Sequence, residues 1–201
     1  MPGRPDDLQE LLDSVEVVMT GVDGAAAERK LVASVMAACR IRIGKFDDAA
    51  TGDPTLPVLK SLDVAFVNAL AVSPALARVT YALKCLAPQL RWRSRHYNGR
   101  GARLNLVEGY ASAVIVGRDG YEDRDDLRVG VSLLGSNVSY PDHNHPPEEA
   151  YLVLSPGAFR QKQGSWQHRR AGEMFYNTPG IMHGMRSEAT PMLALWFLPT
   201  A

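Results

Sequence analysis

Tyr140-Pro141-Asp142-His143-Asn144-His145-Pro146-Pro147-Glu148-Glu149-Ala150-Tyr151 is the stretch on which the reading of this chain turns. It holds two of the five histidines in the protein. On an extended backbone successive side chains alternate faces, so His143 and His145 point one way and Glu149 and Tyr151 share a face. Ala150, Leu152 and Leu154 then turn to the opposite side, toward apolar packing. This segregation gathers the polar side chains on one surface, where a metal ion can bring them together. Imidazole nitrogens and a carboxylate suit zinc, iron, manganese, nickel, copper or cobalt, and three or four protein ligands leave positions open for substrate. A structural zinc site favours thiolates and a closed shell, and no cysteine lies near this cluster, so the pattern points to catalysis.

Outward from that stretch the chain divides by hydrophobic period. From about Leu104 the period is two, predicting strands at Leu104–Tyr110, Ser112–Val116, Leu127–Leu134, Ala150–Leu154, Phe159–Gln163, Glu173–Tyr176, His183–Arg186 and Met192–Leu198. Gly, Pro, Asn and Asp punctuate them, which argues for an antiparallel double-sheet barrel or jelly roll. Before it the period is helical: Leu8–Val18 behind Asp6-Asp7, Ala25–Arg40, and Val58–Val72 after a Gly- and Pro-containing loop from Asp47 to Pro57. Ser73 reads as an N-cap with Pro74 at the first helical position of a segment reaching Leu86, stopped by Pro88. The expected organisation is a helical portion over residues 1–100 and a β-barrel carrying the metal site over residues 101–201, mainly β overall.

Composition narrows the function. Lys plus Arg and Asp plus Glu number 22 each, leaving no net field to attract nucleic acid or an anionic membrane. The run Arg91-Trp92-Arg93-Ser94-Arg95-His96-Tyr97 interleaves basic and aromatic residues, but in a neutral chain it reads as a solvated, partly packed connector. His96 and His168, beside arginines, read as exposed. No apolar run has the length of a membrane span and the N-terminus lacks a secretory apolar core, so a cytoplasmic protein is the expectation. Cys39 and Cys85, each among apolar neighbours in helical sequence, read as buried free thiols.

The pattern His143-x-His145-x-x-x-Glu149 with Gly157, followed by Gly172 and Pro179-Gly180-Ile181-Met182-His183, resembles the two signature motifs of the cupins. The second motif is one residue shorter than the usual Pro-x-Gly-x-x-His, with Pro179 directly before Gly180. The resemblance implies a double-stranded β-helix barrel, preceded here by several α-helices, with His143, His145, Glu149 and His183 around one metal. With Tyr140 and Tyr151 added, the sequence is similar to the cupin-type dimethylsulfoniopropionate lyases. That likeness implies one divalent transition metal held mainly by His145, Glu149, Tyr151 and His183, with His143 lining the site or adding a ligand, and Tyr140 as catalytic base.

The implied chemistry fits these residues. Removing a proton beside a carboxylate requires stabilisation of enolate-like charge, which a metal supplies, and a tyrosine with an ordinary pKa of about 10 needs a nearby cation to act as base. The sulfonium of such a substrate is a permanent cation without hydrogen-bond donors, for which aromatic faces are natural receptors. Tyr151, Tyr176, Trp166 and Trp196 are the candidates in the barrel, each also explicable as ordinary packing. The expected partner is a small carboxylate substrate, with neither nucleic acid nor membrane; the oligomeric state, including a homodimer, stays open. A fold does not fix an activity, so a cupin dioxygenase or isomerase and a non-enzymatic small-molecule-binding cupin stand as alternatives. Tyr140 together with Tyr151 favours the lyase.

Overall fold

A computed structural model describes residues 3–21, 26–46, 55–94 and 105–199. Most of the 47–57 loop, His96 and Leu104 lie outside the described residues. Helix α1 spans Asp6–Gly21, with Asp6 and Asp7 in its first turn facing the positive end of the helix dipole. Helix α2 spans Ala26–Ile41, and the short strand β1 is Lys45–Phe46. A 3-10 turn over Pro57–Ser61 leads into α3, Leu62–Leu70, so the segment predicted as one helix from Val58 begins with a tighter turn. Helix α4, Pro74–Leu86, starts as the sequence predicts: the Ser73 side chain accepts from Leu76 N at 3.2 Å. Trp92 is buried and donates from Nε1 to Ala87 O at 2.9 Å, which packs the basic connector onto the end of this helical layer.

The predicted strand at Leu104–Tyr110 is a correction. Residues Asn105–Gly109 form one helical turn, α5. Leu106 and Tyr110 both enter the barrel core, and a spacing of four shares a face in a helix as it does in a strand, so the apolar period alone does not separate the two. The strands then follow as β2 Tyr110–Val116, β3 Glu122–Asp123, β4 Leu127–Leu134, β5 Ser139–His143, β6 Glu149–Ser155 and β7 Gly157–Gln161. β8 is Gln167–Arg169, β9 Met174–Asn177, β10 His183–Arg186 and β11 Met192–Pro199.

They form two facing sheets, one ordered β1-β3-β2-β4-β11-β6-β9 and the other β5-β10-β7-β8. The pairings are antiparallel except for a single parallel bridge between β2 and β3. Helices cover the outer face of the larger sheet: Ala150, Leu152 and Leu154 pack in one apolar cluster with residues of α1 to α4, such as Leu11, Val35 and Leu83. Tyr151 and Val153, on the opposite face, pack with Phe159, Phe175 and Met185 between the sheets. All seven residues of β6 are therefore buried, which is why its sequence reads as a continuous apolar run with one acid at its start. Cys39 is buried as expected, but Cys85 is exposed, because its apolar neighbours Leu83 and Leu86 take the buried side of α4. No helix among the described residues is long and apolar enough to cross a membrane.

Candidate active site

Three inward-facing rows of the larger sheet set up a cavity of about 630 Å³. Across the sheet, Tyr151 stands opposite Trp196, Trp196 opposite Gly130, and Gly130 opposite Val114. The next row inward joins Val153, Ala194, Ser132 and Ser112. Toward the open end, Glu149 pairs with Asn177. Gly130 is a packing requirement: a Cβ there would sit 2.1 Å from Trp196 Cζ2, so only glycine lets the indole lie against the sheet and line the cavity.

The smaller sheet supplies the opposing wall through β5 and β10. Pro141 lies within β5 although a proline has no N–H to give to a strand ladder. The strand survives because β5 is the edge of its sheet, where a missing N–H need not meet a ladder partner. Pairing runs His183 to His143 and then Met185 to Tyr140, so Pro141 and Asp142 together oppose Gly184 in a bulge. In a regular strand, side chains three apart face opposite ways. The bulge turns both Tyr140 and His143 inward, where both line the cavity with ring centroids 4.9 Å apart.

His143, His145 and His183 offer nitrogen atoms that lie within 4.8 Å of one another. His145 is on the loop after β5, tied to the turn before β10 by Gly180 N donating to His145 O at 3.0 Å. In each imidazole Nδ1 faces a backbone carbonyl two residues away: Pro141 O at 3.1 Å, Pro147 O at 3.0 Å and Ile181 O at 2.9 Å, respectively. A carbonyl can only accept, so Nδ1 carries the proton in all three and Nε2 presents its lone pair. Two of the Nε2 atoms meet Glu149, whose Oε2 is 3.1 Å from His183 Nε2 and 3.3 Å from His145 Nε2.

His183 Nε2 is buried without a hydrogen-bond partner, and a lone pair this close to a carboxylate is repulsive unless a cation or a second proton stands between them. The donor set, its tautomers and this orphaned atom fit a divalent metal. Burial would raise the Glu149 carboxyl, but where a second proton sits on His145 and His183 in the metal-free site, their hydrogen bonds and positive charge outweigh it and hold it at about 2. Burial, reinforced by the neighbouring His183, lowers His143 to about 4, so it is a neutral donor near neutral pH. Burial and the Glu149 charge push the Tyr151 phenol well above its usual range.

Of the residues singled out from sequence, Tyr140, His143, His145, Glu149, Tyr151 and Trp196 all line this one cavity, with His183 in the cluster at its wall. Trp166 and Tyr176 do not line it. Trp166 lies on the outside of the smaller sheet, its ring between Arg160 and Arg186 with both guanidinium carbons 4.6 Å from the ring centroid. Tyr176 is turned by strand alternation toward the helical layer, donates to Glu148 Oε2, and is raised to about 12 by that bond and by burial. His168 is exposed beside Glu188 at 3.3 Å, as expected. Two residues of the site carry no motif signal: Asn177 and Gln161, both polar at positions whose β-strand neighbours point inward.

A family model described as dimethylsulfoniopropionate (DMSP) lyase matches residues 32–194. The curated DMSP lyase DddQ of Ruegeria pomeroyi is 27% identical over 106 residues, 52% of this chain and 52% of that protein, so the match spans about half the length of this relative. Crystal structures described as the DMSP lyases RdDddP and RnDddQII superpose at a TM-score of 0.69 with 21% identity, covering 97% of this chain and 93% of the other. The crystal structure of DMSP lyase DddQ from Ruegeria pomeroyi superposes at 0.60 with 21% identity, over 88% and 93% of the two chains. At this identity the structural likeness speaks for the fold, helices followed by a double-sheet β-barrel.

Proposed function

The chain belongs to the DMSP lyase family, and we propose that it is a metal-dependent carbon-sulfur lyase cleaving DMSP into dimethyl sulfide and acrylate by β-elimination. One observation carries the reading: three clustered imidazoles have their Nδ1 atoms pinned to carbonyls, and two of them turn Nε2 to the buried Glu149 carboxylate, beside two tyrosines that line the same cavity. His145, Glu149 and His183 would hold the ion, with His143 and Tyr151 placed to complete its shell. When bound, a divalent ion polarises a substrate carboxylate and favours the phenolate form of a nearby tyrosine.

Tyr140 is the base in this reading. Its phenolate oxygen takes the proton from the carbon next to the substrate carboxylate and becomes the neutral phenol, the C–H electron pair becomes the second bond of the new C=C, and the C–S bond breaks with its electron pair going to sulfur, which leaves as neutral dimethyl sulfide. His143 and Tyr110 hold the Tyr140 ring on two sides, with centroids at 4.9 and 4.6 Å, which fixes where that oxygen can lie. Trp196 is the aromatic face available to the sulfonium, an interaction of about 0.5–2 kcal/mol. A second reading takes Tyr151 as base: it lines the same cavity, two residues from Glu149 and on the same face of β6.

Headspace gas chromatography of purified protein given DMSP tests the activity, and elemental analysis of the same sample tests the metal. The expected results are dimethyl sulfide in stoichiometric amount with acrylate, about one transition metal per chain, and loss of both in His183→Ala. Metal bound without any dimethyl sulfide would retain the metal centre and reject the substrate.

A further inference from the structure

Glu149 is the one carboxylate among the proposed ligands, and histidines are not its only partners. Asn177, fully buried on β9 and opposite Glu149 in the ladder, donates from Nδ2 to Glu149 Oε2 at 3.2 Å. The two ends of an amide have nearly the same shape, so something must decide that the NH₂ end faces the carboxylate. Gln161 decides it. Its Nε2 lies 2.6 Å from Tyr176 O and 2.9 Å from Asn177 Oδ1. The Tyr176 carbonyl can only accept, which fixes the Gln161 NH₂ toward it. That NH₂ can only donate, which turns Asn177 Oδ1 toward Gln161 and leaves Asn177 Nδ2 for Glu149.

Each orientation in this chain of carbonyl, amide, amide and carboxylate is set by the one before it. The chain also crosses the barrel: Asn177 belongs to the larger sheet, and Gln161 to β7 of the smaller one, where it stands opposite His183 in register. A neutral donor has a further advantage at this position. An arginine or lysine would hold the carboxylate as firmly, but its charge would oppose a metal ion on the other side.

We propose that Asn177, oriented by Gln161, is the positioning residue that fixes the Glu149 carboxylate for metal binding; this rests on the metal-centre reading above. Asn177→Asp keeps the shape and replaces the donor with a second anion against Glu149. Gln161→Leu leaves Asn177 in place and releases its amide to turn. Outer partners of metal ligands typically govern affinity by about 10–100-fold. Cobalt(II) binding by chelator competition is expected to weaken by that factor in Asn177→Asp and by a smaller one in Gln161→Leu. The visible cobalt spectrum should shift in both, while the metal-free proteins melt within a few degrees of the parent. Parental affinity and spectrum in a folded Asn177→Asp protein would overturn the proposal. Should that variant not fold, parental values in Gln161→Leu do the same. A parent that binds no cobalt overturns the metal centre itself, and the two failures are told apart by that measurement.

Discussion

Gly184→Ala tests whether the β5 bulge aims the site. A Cβ at Gly184 would come 2.5 Å from Asp142 Oδ1 and 3.4 Å from Tyr140 O. The carboxylate cannot simply swing away, because Arg160 grips it through Nε at 3.0 Å and Nη2 at 2.7 Å. The added methyl must therefore break that grip or push β5 off β10. Overpacking of this kind costs about 1–3 kcal/mol, and in a chain of this size each kcal/mol moves the melting temperature by roughly 2–4 °C. A drop of about 2–12 °C is expected. Activity should fall further than stability does, since the bulge turns Tyr140 and His143 inward together and misplacement of reacting groups by about 1 Å can cost 10²-fold. The double variant Gly184→Ala with Asp142→Ala removes the clash, so it should recover melting temperature and part of kcat. Differential scanning calorimetry and initial rates measure both. A single variant with parental kcat and a melting temperature within 1 °C of the parent, roughly the scatter expected of an exposed surface change, refutes the reasoning.

The two tyrosines separate by conservative removal of their hydroxyls. Tyr140→Phe should lower kcat by about 10²–10⁴-fold with little change in apparent affinity, and the rising limb of the pH–rate profile should vanish. If the rising limb instead disappears in Tyr151→Phe while Tyr140→Phe turns over normally, the base is Tyr151. The acid stability of the metal-free protein follows from His143. Its folded pKa of about 4 lies below the ordinary 6.5, so its contribution is fully present above pH 6.5 and is lost as pH falls through 4. The difference amounts to roughly 3 kcal/mol, and urea midpoints of the parent should fall between pH 6.5 and 4 more steeply than those of His143→Gln. Equal slopes would show that His143 is not held neutral by burial.

The positions of the strands were largely legible because their period is local. Leu127–Leu134 and His183–Arg186 agree residue for residue with the observed strands. β5 was not legible, since a proline inside a strand has meaning only once the strand is known to be an edge. α5 was not legible either: Leu106 and Tyr110, four apart, share a face in a strand as well as in a helix, so their common burial fits both. Cys85 failed for a related reason, as apolar neighbours do not say which side of a helix faces inward.

In the site, sequence by itself determined the chemistry: which donors are present, that thiolates are absent, and that Glu149 and Tyr151 share a face opposite Ala150, Leu152 and Leu154. These follow from residue type and a period of two, both properties of the chain alone. Only the tertiary structure decided that Tyr140 joins His143 on the inner wall, that Trp196 lines the cavity while Trp166 and Tyr176 turn away, and that Asn177 and Gln161 orient the carboxylate. Each of these depends on a register between strands distant in sequence, or on a bulge where two residues oppose one. Such pairing is fixed by packing across the barrel, so no local pattern in the chain encodes it.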